Sequence, residues 1–331
     1  MKKNLKDAKS SIFKKSAKAE GTPIKGVDFN GNVDLKGLLA GSRSTGAQAS
    51  ELAKAVDIVK KMRREKVRIF LGYTSNMMTT GNREVIRYLV EHKLVDVLVT
   101  TTGGIEEDFI KTFGPFVLGD FKADGARLRE KGINRAGNVF IPNDRYIEFE
   151  KFFQPVLSHF LERQKRTGVM VTPSEMIEYM GSAMDDKSSV YYWANKNKIP
   201  VFCPAFMDGA IGDNVYFFNF NRLAKGEELK VDMARDHHKL IELAMSADET
   251  GIIILCGGVV KHTICNANMF REGAKYAVYV NTAQEFDASD SGAMPDEAKS
   301  WGKLAAEADT VKVFCDATIA FPLIVAGAFV D

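Results

Sequence analysis

Short, continuous apolar runs alternate along this chain with longer segments whose apolar residues recur at helical spacing. Six runs are predicted to be buried strands, at residues 67–73, 95–100, 199–204, 251–256, 276–281 and 311–316. Helical spacing predicts helices at residues 49–66, 82–93, 145–166, 173–184, 188–198, 229–247, 262–272, 296–308 and 318–329. Apolar strands alternating with helices are typical of a parallel sheet covered on both faces. We therefore predict one doubly wound, Rossmann-like α/β domain with a mostly parallel sheet.

The N-terminal segment differs from the rest of the chain. It holds seven lysines by residue 18 and has no apolar core that would indicate a secretory signal. A lysine-rich segment with few apolar residues cannot offset the entropy lost on ordering. We expect residues 1–22 to form a flexible basic arm and residues 23–331 to form the folded domain.

Each predicted strand is followed by a polar or glycine-rich turn. These turns span residues 74–76, 101–108, 205–213, 257–262, 282–292 and 317–318. Any one of them could simply connect a strand to its helix. Because doubly wound proteins bind ligands at the carboxyl ends of their strands, six such turns favour a shared site. Neither G-x-G-x-x-G nor G-x-x-x-x-G-K-[ST] occurs, so this pattern alone does not identify a dinucleotide.

Composition narrows the classes of partner. The 331 residues include 45 Lys and Arg against 43 Asp and Glu, a balance that gives no argument for nucleic acid. No apolar run approaches the ~20 residues of a membrane span, so we expect neither nucleic acid nor membrane as a partner. The cysteines, Cys203, Cys256, Cys265 and Cys315, form no CxxC pair, which predicts free thiols in a reducing, cytoplasmic compartment. Their spacing from His262 matches no standard zinc pattern, so no metal is expected.

An acid-rich loop follows the fifth predicted strand. Residues 276–298 contain no Lys or Arg but hold Glu285, Asp287, Asp290, Asp296 and Glu297. Asp287 and Gly292 match positions 1 and 6 of an EF-hand loop, but Ala298 occupies the position that requires Glu. The loop is therefore either a solvated connection or a site for an organic cation.

An organic cation suits the residues in and near this loop. Asp213, Asp290 and Glu297 could accept charge-assisted hydrogen bonds from amine groups. Trp301 could lie against a cationic or alkyl chain, although a core position for this tryptophan is about equally plausible on sequence alone.

Two residues could carry chemistry. Lys303 is predicted on the helix after the acid loop, where most lysines are solvated, but beside an imine-forming site a lysine amine is the usual nucleophile. His262, predicted at the start of a helix, could carry a proton or could equally serve as a capping or packing histidine.

Long strings of the chain resemble deoxyhypusine synthase. They include GYTSNMMTTGNREVIRYLVEHKLVDVLVTTTGGIEEDFIK, SVYYWANKNKIPVFCPAFMDGAIGD, GGVVKHTICNAN and YVNTAQEFDASDSGAMPDEAKSWGK. The resemblance implies an NAD-binding doubly wound fold, assembled as a homotetramer (a dimer of dimers) with sites shared across subunit interfaces. It also implies the reaction, in which the 4-aminobutyl group of spermidine moves to one lysine of a translation factor precursor and 1,3-diaminopropane is released.

The resemblance also implies roles for individual residues. Lys303 matches the imine-forming lysine, with His262 beside it as a second catalytic residue. The implied spermidine pocket consists of Glu106, Glu107, Asp213, His262, Ala288, Ser289, Asp290, Glu297 and Trp301. The implied NAD contacts are Ser75, Asn76, Met77, Met78, Thr79, Thr101, Thr102, Gly103, Glu107, Asp208, Gly257, Thr282, Ala283, Asp316 and Ala317.

Three positions depart from the family pattern. Cys256 replaces a glycine and Cys315 replaces a small residue, both close to the expected cofactor site, and Thr263 replaces a second histidine. Relatives with the same motifs use putrescine as the acceptor and make homospermidine, so the motifs leave the acceptor open. A catalytically silent partner of an active paralogue is a third hypothesis, which the intact Lys303 disfavours.

Overall fold

The main sheet has six strands, all parallel, within residues 4–330, which the computed structural model describes. Its strands are β1 (Arg68–Tyr73), β2 (Val97–Thr100), β6 (Val201–Phe202), β7 (Thr250–Leu255), β8 (Ala274–Asn281) and β9 (Leu304–Phe314). Their order across the sheet is β6-β2-β1-β7-β8-β9. The predicted strands all exist, and the doubly wound α/β prediction is confirmed.

Helices cover both faces of this sheet. They are α1 (Leu5–Ile12), α2 (Leu35–Gly41), α3 (Ala47–Glu65), α4 (Asn76–Thr79), α5 (Asn82–Glu91), α6 (Thr102–Thr112), α7 (Gly125–Glu130), α8 (Asp144–Thr167), α9 (Pro173–Ala183), α10 (Val190–Asn197), α11 (Ala210–Asn219), α12 (Met233–Met245), α13 (Gly258–Met269), α14 (Pro295–Ser300) and α15 (Ala317–Ala328). Within residues 4–330, no helix is long and apolar enough to cross a membrane.

Alternating residues of the central strands enter two separate hydrophobic clusters. In β7, Ile253 belongs to the cluster that contains residues of α3, α8 and α15, whereas Ile252 and Ile254 belong to the cluster that contains residues of α12 and α13. Successive side chains of a strand point to opposite faces, so a strand buried on both faces must be apolar throughout. The continuous apolar runs in the sequence have this cause.

The helix predicted over residues 296–308 is wrong in its second half. Helix α14 ends at Ser300, and Gly302 adopts a left-handed conformation (φ 69°) that turns the chain. Leu304, two residues after Gly302, pairs with Ala274 of β8. The alanine-rich stretch that follows Leu304 therefore belongs to strand β9 and not to a helix. Lys303 therefore lies in a turn between a helix and a strand, not on a helix.

At other helices the predicted and observed boundaries differ by only a few residues. Helix α12 begins at Met233, four residues later than predicted. The Asp232 side chain accepts a hydrogen bond from the Arg235 N–H and caps the helix at this point. Helix α13 begins at Gly258, so His262 lies one turn inside the helix and not at its start. Within the predicted arm, α1 has no buried residue.

A second, antiparallel sheet was not predicted. It consists of β3 (Val117–Leu118), β4 (Ile133–Ala136) and β5 (Val139–Pro142), in the order β3-β5-β4. It lies in the chain between α6 and α8, and therefore follows directly on the helix that carries Glu106 and Glu107.

Candidate functional site

A crevice of about 420 Å³ opens where the sheet order reverses, between β1 and β7. Its lining comes from the turns after β1, β7, β8 and β9, namely Thr74, Asn76, Cys256, Gly257, Gly258, Asn281, Thr282, Ala283, Ser291, Asp316 and Ala317. Ligands of doubly wound proteins bind at this switch point. Six residues predicted to contact a cofactor thus meet in one cavity: Asn76, Gly257, Thr282, Ala283, Asp316 and Ala317.

Backbone packs closely at the floor of this crevice. A Cβ atom on Gly257 would lie 2.7 Å from the Ser291 Oγ, so only glycine fits there. The Ser291 hydroxyl accepts a hydrogen bond from the Gly258 N–H at 2.7 Å and ties the acid-rich loop to the start of α13. Cys256 has φ 74°, a left-handed conformation that favours glycine. Its Sγ lies 3.3 Å from the Asn76 Nδ2.

The turn after β1 brings the other predicted cofactor residues beside α6. The Ser75 N–H donates to the Thr101 Oγ1 at 3.0 Å, and the Thr79 hydroxyl donates to the Glu107 carboxylate. A Cβ on Gly103 would lie 2.7 Å from the Ser75 Cβ, so this approach also needs glycine. The remaining members, Met77, Met78 and Thr102, are buried, so the two methionine side chains belong to the core.

Two adjacent carboxylates of α6 are buried. Glu106 is 5% exposed and accepts from the Ile211 N–H at 2.9 Å, at the start of α11. Burial raises the pKa of Glu106, and the charges of Asp213 and Asp208 raise it further. Burial likewise raises the pKa of Glu107, to about 7. This acidic group, in which Asp208 and Asp213 are exposed, lies at the ends of β2 and β6.

The raised pKa of Glu107 makes a prediction about stability. Because the folded chain holds this proton more tightly than the unfolded chain, wild-type stability should fall as pH rises from the ordinary value of 4.5 to about 7. Glu107→Gln cannot ionise, so its free energy of unfolding relative to wild type should rise by about 2 to 3 kcal/mol between pH 5 and pH 8. Urea titrations at several pH values measure this difference. A difference that stays constant over that range would contradict the buried, protonated state.

The acid-rich loop leaves one carboxylate oxygen without a partner. Within the described residues, the Asp290 Oδ2 is fully buried and has no hydrogen-bond partner. An unpaired buried acceptor is costly, so a ligand donor is its natural complement. Ala288 and Ser289, beside it in the loop, are exposed, as is Glu297 on α14.

Trp301 and Lys303 lie in the turn after α14. Trp301 is 63% exposed, so the alternative of a core tryptophan is wrong. Lys303 is half-buried, with its Nζ 5.5 Å from the centroid of the Trp301 ring. Burial lowers the pKa of the Lys261 ammonium, while the charges of Asp290 and Glu297 raise it and that of Lys303 lowers it, which places these three groups in one electrostatic neighbourhood. The neighbour of Lys261 in the chain is His262, which is exposed and has its Nδ1 3.1 Å from the Asn266 Nδ2.

Sequence reasoning missed three lysines that lie beneath these turns, Lys111, Lys261 and Lys312. Lys261 and Lys312 are only 2% and 3% exposed. A signal was present in both cases, because Lys261 shares a helical stripe with Ile264 and Cys265, and Lys312 interrupts the apolar run of β9.

Comparison with known proteins gives consistent matches. A family model described as DS, deoxyhypusine synthase, matches residues 37–328. Deoxyhypusine synthase of Senecio vernalis is 48% identical, over 98% of this chain and 94% of its own length. Homospermidine synthase 2 of the same plant is 49% identical, over 99% of this chain and 95% of its own length. A crystal structure described as a candidate deoxyhypusine synthase of Entamoeba histolytica has a TM-score of 0.67 and 32% identity, covering 92% of this chain and 96% of that chain.

Proposed function

Since the chain belongs to the deoxyhypusine synthase family, we propose that it moves the 4-aminobutyl group of spermidine to a lysine of a translation factor precursor, with NAD as cofactor. One observation carries the proposal. The half-buried Lys303 lies in the same electrostatic neighbourhood as Asp290, whose buried oxygen has no partner among the described residues. A lysine nucleophile beside a carboxylate that needs a cationic donor suits an amine substrate.

The crevice between β1 and β7 fits the cofactor. At Gly257 a Cβ atom would collide with Ser291, so glycine allows the backbone and the loop to pack closely at the edge of the crevice, as a dinucleotide site requires. Asn76, Gly257, Thr282 and Asp316 would hold NAD there, together with the turn from Ser75 to Thr79. When bound, NAD supplies a hydride acceptor and then a hydride donor, so the whole cycle is redox-neutral.

The residues around Lys303 suit the donor substrate. Asp290 and Glu297 would each receive an ammonium group of spermidine, and the buried Asp290 Oδ2 would gain the donor it lacks. The exposed indole of Trp301 would lie along the butyl chain, where its face also favours a nearby cation.

Lys303 and His262 would perform the transfer. Lys303 forms a carbon–nitrogen bond to the activated butyl carbon as the bond to the diaminopropane nitrogen breaks, which leaves the butyl group as an imine on the enzyme. The acceptor lysine then displaces Lys303. The Asn266 amide, 3.1 Å from Nδ1, orients the His262 ring, and the neutral imidazole would take a proton from the attacking amine and return it to the departing amine.

The two acidic groups are far apart within one chain. Asp213 follows β6 and the acid-rich loop follows β8, and four strand spacings separate these strands, about 19 Å at about 4.8 Å each. We expect a second copy of the chain to complete each amine pocket, in a homotetramer built as a dimer of dimers. Tyr216, Phe217 and Phe220, close to Asp213, are 59%, 64% and 63% exposed, and an exposed aromatic patch of this kind favours an interface.

An acceptor competition tests the proposal. The protein is incubated with NAD and with spermidine labelled in its butyl group, while factor precursor and putrescine are offered together. We expect the label in the precursor protein and no transfer without NAD. Label found only in homospermidine would establish the second function, that of a relative 49% identical to this chain. Label in neither acceptor, with NAD bound, would indicate a silent subunit.

A further inference from the structure

Two buried ammonium groups lie directly beneath the acid-rich loop. Neither Lys261 nor Lys312 forms a salt bridge with any of the described residues. A buried charge without a counter-ion is strongly disfavoured unless hydrogen bonds and dipoles replace the water that it has lost. The groups that replace water around these two ammonium groups therefore indicate the role of the two lysines.

All hydrogen bonds of the two ammonium groups go to backbone carbonyls of the loop. Lys261 Nζ donates to the carbonyl of Asp290 and, at 3.0 Å, to that of Ala293. Lys312 Nζ donates to the carbonyl of Ala283 at 3.0 Å and to that of Gly292 at 2.5 Å.

Each ammonium group also forms a cation–π contact with an aromatic ring. Lys261 Nζ lies 4.7 Å from the centroid of the Tyr279 ring, and Lys312 Nζ lies 4.4 Å from that of Phe314. A ring face attracts a cation, and the attraction is stronger where water is excluded. Both rings belong to strands of the main sheet, Tyr279 to β8 and Phe314 to β9, so the lysines connect the loop to a rigid support.

The loop needs such a support because its own charges oppose its compact form. Its carboxylates repel one another, and it contains no lysine or arginine of its own. Its path is nevertheless tight, since a Cβ on Gly292 would lie 1.7 Å from the Gln284 carbonyl oxygen. Two cations beneath the loop offset the repulsion and fix the carbonyls on both sides of the Asp290 side chain.

Lys111 is built in the same way under a different turn. Its Nζ donates to the carbonyl of Thr80 at 2.9 Å and to that of Met78, and it lies 5.1 Å from the centroid of the Phe116 ring. The turn that it holds is the one after β1, which carries predicted cofactor residues. This lysine provides a matched comparison, with the same chemistry beneath another part of the site.

We propose that Lys261 and Lys312 are positioning residues, which hold the acid-rich loop by its carbonyls so that Asp290 is preformed to receive an ammonium group of the substrate. The proposal rests on the proposed function, because it takes spermidine as the ligand of the loop. Lys261 acts on the substrate side of the loop, through Asp290. Lys312 acts on both sides, since Ala283 lines the cofactor crevice.

Separate binding measurements on methionine variants test this inference. Calorimetry gives the Kd of NAD, and then the Kd of spermidine on the NAD-saturated protein, for Lys261→Met, Lys312→Met and Lys111→Met. Lys261→Met should raise the Kd of spermidine by about tenfold or more and the Kd of NAD by less than about threefold. The reason is that the lost hydrogen bonds hold the carbonyls of Asp290 and Ala293, on the substrate side of the loop. Lys111→Met should show the reverse pattern, and Lys312→Met should raise the Kd of both ligands. Lys261→Arg, which keeps the charge and donors, should bind spermidine more tightly than Lys261→Met.

The inference is wrong if Lys261→Met binds spermidine as wild type does, or if all three variants lose both ligands in parallel with their thermal midpoints. The second outcome would show a general structural role. Should Lys261→Met fail to fold, Lys261→Gln replaces it, because its amide still donates hydrogen bonds but carries no charge, and the same selective loss is expected of it. Failure of the wild-type protein to bind spermidine would overturn the proposed function, and this inference with it.

Discussion

Lys303→Arg should bind NAD and spermidine but transfer the aminobutyl group at least about 10³-fold more slowly than wild type. Arginine keeps the positive charge beside Trp301, so the electrostatics of the amine pocket are preserved. Its guanidinium does not lose its proton and cannot form an imine, so the covalent intermediate is removed.

Borohydride trapping locates the intermediate directly. With labelled spermidine and NAD, reduction should leave label on Lys303 of the wild type and none on Lys303→Arg. The matched control is Lys299→Arg, because Lys299 precedes the same turn. Its ammonium group donates only to the carbonyl of Ala306, at 2.8 Å, in a hydrogen bond that is exposed to solvent. It should retain both trapping and transfer. Modification of the acceptor by Lys303→Arg at a near wild-type rate would contradict the covalent mechanism.

The sequence predicted the sheet well because burial on both faces leaves a strong pattern. A strand such as β7, buried at every position and mostly apolar, is distinguishable from a helix by its length and by its flanking turns. The order of the strands, and hence the crevice between β1 and β7, is set by tertiary pairing that no local pattern encodes. The turns after the strands nevertheless identified most of the residues that line the crevice.

The failures have physical causes. Residues 304–308, LAAEA, have high helix propensity, but pairing of Leu304 with Ala274 and the turn at Gly302 make them a strand. The small antiparallel sheet has strands of two to four residues, too short for an alternating pattern to emerge. Lys261 and Lys312 were missed because lysines are almost always solvated, and only their backbone partners explain their burial.

A buried ion pair beside the acidic group should be important for stability. Asp108, on α6, is 0% exposed, and one oxygen of its carboxylate accepts from the Arg83 Nε at 2.6 Å. The same carboxylate accepts from the Ser189 hydroxyl at 2.5 Å and from the Val190 N–H at 3.0 Å, at the start of α10. Asp108 therefore joins α5, α6 and α10 through a single side chain.

Asp108→Asn should lower the free energy of unfolding by about 3–5 kcal/mol, because it removes the buried counter-ion of the Arg83 guanidinium and leaves only the exposed Glu84, at 3.6 Å. The amide also brings an N–H₂ group to a position where the arginine, the serine and the backbone N–H all need an acceptor. Urea unfolding at fixed protein concentration measures the loss. The control, Glu148→Gln, removes an exposed pair with Lys151 on α8 (2.8 Å) and should cost less than about 1 kcal/mol. If the two substitutions cost the same, the carboxylate of Asp108 does not hold these three helices together.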